Sequence, residues 1–152
     1  MPPATPIAAE KNVVSAATAH LQDASRTLLE SQLRANPGVR AIVVGTADGR
    51  AFAHACQADQ AVEAARISAI ATSLLALSES FSREALRSQA QYNSIATQHG
   101  TIVVVRVPTR ARAHMLCLWA DQSDIFAMTL RLALDSAARL AILIDGGEAT
   151  SS

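Results

Sequence analysis

The sequence predicts a single domain of the α/β class, more narrowly α+β. It should contain a five-stranded antiparallel sheet with one helix on one face and the two terminal helices on the other. Three observations predict it: three long segments have apolar residues at helical spacing, five short runs are strand-like, and an Asp-Gly pair separates the first two runs. With 152 residues, half of them apolar, the chain can close a single core without disulfides.

The first helix and the first two strands are the most clearly marked elements. The helix is predicted over residues 12–35, and Pro37 ends it because the residue before a proline disfavours helical geometry. Strand-like runs follow at residues 39–46 and 50–56. An Asp-Gly pair between apolar runs is a strong hairpin signal, so these two strands are expected to be antiparallel neighbours.

The segment 61–86 is predicted to be a helix with two different apolar faces. One face, the apolar seam, carries large residues at spacings of three and four: Ile67, Ile70, Leu74, Leu77 and Phe81. The neighbouring small face is formed by Ser68, Ala71, Thr72 and Leu75. Because small side chains let two backbones come near, we expect the small face to meet a second helix and the apolar seam to cover the sheet.

Three more strands and a helix complete the predicted order α-β-β-α-β-β-β-α. Residues 88–98 are polar for a strand and fit a sheet edge, whereas the β-branched run 101–107 fits a central strand. A further strand is predicted at residues 113–120. The last helix is expected to begin at Ser123 as N-cap and to end near residue 144, before a Gly-Gly pair.

The two ends of the chain lack periodicity. Residues 1–11 are rich in Pro and Ala, and residues 146–152 are small and polar. We therefore predict disordered tails at 1–11 and 146–152, with the domain at 12–145.

Composition excludes several classes of partner. The formal net charge is zero, so no positive field would hold nucleic acid. Lys11 is the only lysine and lies outside any glycine-rich loop, which excludes a Walker-type nucleotide site. No segment is apolar and long enough for membrane insertion, and no cationic signal region opens the chain, which favours a cytoplasmic protein.

The sequence carries no catalytic or metal-binding signature. Four histidines and two well-separated cysteines are present, but no GxSxG, His-Glu-x-x-His or Cys-x-x-Cys spacing accompanies them. We therefore expect no enzyme activity and no cofactor. The cysteines are expected to be buried structural thiols.

The element order, together with a run from Asn36 to Val44 leading into Asp48 to Ala53, resembles the roadblock/dynein light chain family. The later TIVVVRV and HMLCLWAD strands also sit where that family has them, and the likeness covers residues 12–145. The resemblance implies a profilin-like roadblock sandwich and a bacterial member of the family. It also implies a homodimer or heterodimer in which the middle helix and the following strand meet their counterparts.

The resemblance and the residue pattern together suggest two interaction sites. The predicted dimer interface comprises Ser68, Ala71, Thr72, Leu75, Ala90, Tyr92, Asn93 and Ser94. A cationic cluster at one hairpin could dock an acidic partner or be an ordinary solvated turn: Arg106, Arg110, Arg112 and His114.

Three functions remain open at this stage. Bacterial proteins of the roadblock type often accompany a Ras-like small GTPase, so the first is a non-catalytic dimeric adaptor or regulator of such a GTPase. The second is a structural subunit or scaffold of a larger assembly that has no effect on GTP hydrolysis. The third is a small-molecule sensor of profilin, PAS or GAF-like architecture, which the scarcity of aromatic residues disfavours.

Overall fold

The structure, a computed structural model, describes residues 6–149. Its elements follow the predicted order: α1 (Pro6–Ala35), β1 (Val39–Thr46), β2 (Ala51–Cys56), α2 (Ala64–Leu86), β3 (Tyr92–Thr97), β4 (Gly100–Val107), β5 (His114–Asp121) and α3 (Phe126–Ala149). The predicted fold class is therefore confirmed.

The five strands form one antiparallel sheet in the order β2-β1-β5-β4-β3. The last strand, β5, lies in the centre, where β1 and β4 pair with its two sides. The β1–β2 hairpin closes where Thr46 N–H donates to the Arg50 carbonyl at 2.9 Å. Gly49 takes the positive φ of 84° that this turn requires, as the Asp-Gly pair predicted.

Each face of the sheet has its own hydrophobic cluster because side chains alternate along a strand. On β5, Leu116 and Leu118 lie in the larger cluster with residues of α1 and α3 such as Leu29 and Leu140. Met115 and its alternate neighbours on the same strand lie in the smaller cluster, beneath α2. The expected division, with α2 on one face and the terminal helices on the other, is confirmed.

The helix α2 is rotated on the sheet relative to the prediction, so that the small face is the most deeply buried and only Ile67 and Leu74 of the apolar seam pack against the sheet. Its buried residues are Ser68, Ala71 and Leu75, which belong to the small face. The reason is how closely the helix crosses β1: a Cβ atom added to Gly45 would lie 3.1 Å from the Ser68 Cβ. Only a small side chain fits at position 68, so the small face covers the sheet. Ile67 and Leu74 pack beside it against the same cluster, whereas Ile70, Leu77 and Phe81 point outward.

The terminal helices are longer than predicted. Residues 6–11 and 146–149 are helical, so the expectation of disorder is wrong there, whereas residues 1–5 and 150–152 lie outside the described residues. A Cβ atom at Gly147 would lie 2.9 Å from Leu21 Cδ1. The glycine thus permits a close approach of α3 to α1, where the sequence had suggested a helix end.

Ser123 is not the N-cap of α3. Its N–H donates to the Asp121 carboxylate at 2.9 Å, and its hydroxyl donates to the same oxygen. These two bonds, the hydroxyl's first, hold the pKa of Asp121 below its ordinary value despite partial desolvation. They shape the turn before the helix, which begins at Phe126.

Candidate interaction surface

The outer face of α2 presents large apolar side chains to solvent. Ile70 is 58 % exposed, Leu77 69 % and Phe81 73 %. Ile95 on β3, on the same side of the sheet, is 41 % exposed. Single exposed apolar residues are common on protein surfaces. A contiguous patch of large ones marks an interaction site on a folded protein.

A groove of about 300 Å³ runs between α2 and the sheet. Its walls include Ile67 and Leu74 of the apolar seam, and its floor includes Ile102 and Trp119 from β4 and β5. Cys117 also lines the groove, and burial raises the pKa of its thiol to about 12. The thiol is therefore protonated at neutral pH and acts as an apolar lining residue, with no nucleophilic role.

The strand β3 forms one edge of the sheet and pairs with β4 alone among the described strands. Its hairpin closes at the pair Thr97 and Gly100. Counting back along β3 from this closing pair, every second residue is hydrogen-bonded to β4, and the residues between them direct their N–H and C=O groups away from β4. Ser94 and Ala96 are two of these outward residues. Such outward N–H and C=O groups can accept another strand.

Glu79 connects α2 to this edge. One carboxylate oxygen accepts the Ala90 N–H at 3.0 Å and lies 3.5 Å from an Arg106 guanidinium nitrogen, and the other accepts from Arg83 at 2.8 Å. Desolvation raises the pKa of Glu79, but the Ala90 N–H and the two guanidiniums lower it by more, so the net pKa lies below the ordinary value. The carboxylate stays ionised at neutral pH and fixes the connection that leads into β3.

The predicted dimer residues divide into two groups. Those of the small face are withdrawn from the surface: Ser68, Ala71 and Leu75 are buried, and Thr72 is half-buried. In the subunit the buried three pack against their own sheet and offer no surface to a second copy, and which residues form the dimer interface stays a prediction.

The remaining predicted dimer residues lie along β3 or lead into it. Tyr92 and Ser94 are exposed, and Asn93 is half-buried and accepts a hydrogen bond from the Ser78 hydroxyl. The N–H of Ala90 is held by Glu79. Ile70, Leu77 and Phe81 are further candidates for an interface that their spacing alone did not indicate, because large apolar side chains at helical spacing are typical of a buried face.

The predicted cationic docking cluster does not form one patch. Arg110 and Arg112 are exposed on the β4–β5 loop. Arg106 turns toward α2 and pairs with Glu79 at 3.5 Å. His114 is only 5 % exposed, so including it among the docking residues is wrong; its neighbour in the core, Phe52, packs edge-on at 5.1 Å between ring centres.

Metal binding and membrane crossing were the two remaining possibilities to compare with the described residues. Across residues 6–149, no three or more His, Cys, Asp or Glu side chains are grouped so that they could hold a metal ion. None of the described helices combines the length and apolar character needed to cross a membrane.

Known proteins resemble this chain in structure and not in sequence. No protein-family model matches it, and no curated protein is significantly similar to it in sequence. Several solved structures superpose on most of its length. "MglB with tetrameric arrangement" has 16 % sequence identity and a TM-score of 0.73, with 84 % of this chain and 92 % of that chain covered.

Two further structures show the same similarity. The gliding protein MglB from Thermus thermophilus has 14 % identity and a TM-score of 0.70, covering 81 % of this chain and 90 % of its own. A Roadblock/LC7 domain from Streptomyces avermitilis has 12 % identity and a TM-score of 0.68, covering 78 % and 96 %. At these identities the likeness is one of fold.

Proposed function

Since the chain has the roadblock/LC7 fold, we propose that it is a non-catalytic, dimeric cytoplasmic adaptor or regulator of a Ras-like small GTPase. The observation that supports the dimer is the exposed part of the apolar seam, Ile70, Leu77 and Phe81, beside the open edge of β3. One surface combines exposed Leu77 and Phe81 with outward main-chain groups at Ser94 and Ala96. A second copy of the chain could bury these apolar side chains and pair with these main-chain groups.

The proposed dimer pairs β3 with its own copy across a two-fold axis and packs the two apolar seams against each other. Strand pairing satisfies the outward N–H and C=O groups, and helix contact removes the exposed side chains from water. A specific interface of this kind buries roughly 800 Å² per subunit. The relative described with a tetrameric arrangement supports self-association as a property to test in this chain.

Sedimentation velocity over a dilution series tests the dimer. We expect a single species at twice the chain mass of 15.9 kDa at micromolar concentration and dissociation on dilution. A monomer at high micromolar concentration would contradict the proposed association.

The GTPase partner rests on the resemblance to roadblock-type proteins, and its test is nucleotide dependence. A regulator with equal affinity for both nucleotide states shifts no equilibrium. Calorimetry should therefore be carried out with each Ras-like GTPase of the source genome, loaded with GDP or with a non-hydrolysable GTP analogue. We expect one of them to bind with clearly different affinities in the two states. Equal affinities, or no binding, would favour the structural-subunit alternative.

The exposed loop arginines are the candidates for contact with that partner. Replacing Arg110 and Arg112 together by Glu should weaken binding to an acidic GTPase surface and reduce its salt dependence, because exposed charges act through screened Coulomb attraction. The dimer should persist, since Arg110 and Arg112 lie on the β4–β5 loop and belong neither to β3 nor to the outer face of α2. An unchanged affinity would remove these arginines from the docking surface.

The non-catalytic assignment is tested on the protein alone. With no partner present, we expect no GTP turnover above that of buffer. Turnover abolished by a point mutation in this chain would overturn the assignment.

A further inference from the structure

We propose that the face of the sheet covered by α1 and α3 contains, on its β1–β2 side, a binding site for a small amphipathic anion, an organic acid with an apolar body. A cavity of about 570 Å³ lies there between α1 and α3, beside the β1–β2 hairpin and the start of β5. This volume falls within the 300–1,000 Å³ range of small-molecule sites in proteins.

One part of the cavity wall is apolar, and the rest carries polar and charged side chains. Leu21 from α1, Phe52 from β2 and Ile144 from α3 supply large side chains to its walls. Three separate elements therefore border the space, which is partly open to solvent and lies within one subunit. An aliphatic or aromatic body of a few carbon atoms would be removed from water there.

The charged residues of the cavity are both cationic. Arg50 and Arg112 line it, and no aspartate or glutamate does. Arg50 lies 3.3 Å from Asp48, which partly neutralises it. The Arg112 guanidinium has no ion-pair partner among the described residues. A guanidinium binds carboxylate, sulfonate or phosphate oxygens through paired N–H groups, so the wall selects an anion.

His114 adds a polar group with a fixed orientation. Its Nδ1 lies 2.9 Å from the Arg112 carbonyl, which can only accept, so Nδ1 carries the proton. The edge-on contact with Phe52 holds the ring plane. The second ring nitrogen has no hydrogen-bond partner within the described part of the chain although the residue is only 5 % exposed. It is not among the buried side-chain atoms that lack a partner, so it is accessible to water and to a polar group of a ligand.

The cavity is independent of the proposed dimer. Its sheet residues come from β1, β2 and the start of β5, whereas β3 is the opposite edge of the sheet. The proposed site is therefore complete in one subunit, and its test does not depend on association or on a GTPase.

Octanoate is a suitable probe because it joins a carboxylate to a short apolar chain. We expect a titration of the full ¹⁵N-labelled chain to give saturable shifts of the Ala51, Ala111 and Gly147 amides, with a dissociation constant of roughly a millimolar or below for a ligand this small. Octanol, which lacks the charge, should bind about tenfold more weakly.

Variants of the two loop arginines distinguish binding in the cavity from non-specific attraction of an anion to a positively charged loop. Arg112→Gln should lower octanoate affinity about tenfold, since it removes the unpaired guanidinium. Arg110→Gln is the matched control, because Arg110 is an exposed neighbour outside the cavity wall and its loss should leave the affinity unchanged. The amide spectrum reports in the same experiment that each variant is folded.

Three results would overturn the proposal. The first is the absence of saturable shifts up to about 10 mM octanoate. The second is equal binding of octanol, or equal losses in the Arg110 and Arg112 variants. The third is a set of shifts confined to the groove beneath α2, at residues such as Gly100 and Thr101.

Discussion

Replacing Leu77 by Ser tests the outward orientation of the apolar seam. Leu77 is 69 % exposed in the subunit, so its own fold gains little from the side chain. We expect Leu77→Ser to change the free energy of unfolding of the subunit by no more than about 0.5 kcal/mol. Its effect should fall on association, because the proposed dimer buries the side chain that the subunit leaves in water.

The size of that effect follows from the exposed fraction. Burying a whole leucine side chain contributes about 1.5–3 kcal/mol, and some two-thirds of this residue remains to be buried, which gives about 1–2 kcal/mol per subunit. A two-fold dimer contains the substitution twice. The dimer dissociation constant should therefore rise by about 30-fold to 1,000-fold, since each 1.4 kcal/mol is a factor of ten.

Sedimentation velocity over a dilution series measures this constant, and thermal unfolding measures the subunit. Leu134→Ser is the matched control, because Leu134 is an exposed leucine on α3, on the other face of the sheet. It should leave the dissociation constant of the dimer nearly unchanged, and it should lower the free energy of unfolding of the subunit by about 1 kcal/mol, because Leu134 is only 44 % exposed. If Leu77→Ser weakens the dimer no more than the control does, the seam is not the interface, and the reasoning from its exposure fails.

Three other predictions concern the core, the edge strand and the thiols. Ala71→Leu should lower the free energy of unfolding of the subunit by about 1–3 kcal/mol in thermal melts, because the site is buried against the sheet; an effect on association alone would contradict that position. Ser94→Pro should weaken the dimer in sedimentation and spare the fold, since its N–H points away from β4, whereas Ile95→Pro should break the β3–β4 ladder and unfold the strand. Iodoacetamide at pH 8, followed by mass spectrometry, should modify half-buried Cys56 in the folded protein and reach Cys117 only in urea, because burial raises the pKa of Cys117 to about 12; equal labelling of both thiols in the folded protein would be inconsistent with this.

The fold could be predicted because its signals are local. The hairpin at Asp48 and Gly49, the β-branched run of β4 and the helical spacing in α2 each depend on residues close together in the chain. Alternation of side chains along each strand then requires a cover on both faces. The number and order of the elements follow from these patterns without knowledge of any long-range contact.

The orientation of α2 could not be predicted because it depends on a distance between elements. Large side chains at helical spacing are typical of a buried face, and the apolar seam meets that pattern. The structure places Ser68 against Gly45 of β1, where a larger residue has no room. Residue size at position 68 is set by a residue 23 positions earlier in the chain, and hydrophobic spacing carries no information about it. The same limit applies to Gly147 of α3, where close contact with α1 decides the residue type.

The close contact between α2 and β1 also affects binding through the outer face of α2. It bears on the rate of association and on the conformational entropy lost when a partner binds. With Ser68 seated against Gly45, and with Glu79 fixing the segment that leads to β3, the helix has little freedom to slide or roll on the sheet. The backbone that carries Leu77 and Phe81 is therefore held in one position before any encounter. A surface organised in advance loses little conformational entropy on binding and needs no rearrangement after collision. Association through it should then be limited by orientation and diffusion, at the ordinary rates of about 10⁵–10⁷ M⁻¹s⁻¹ for rigid protein pairs.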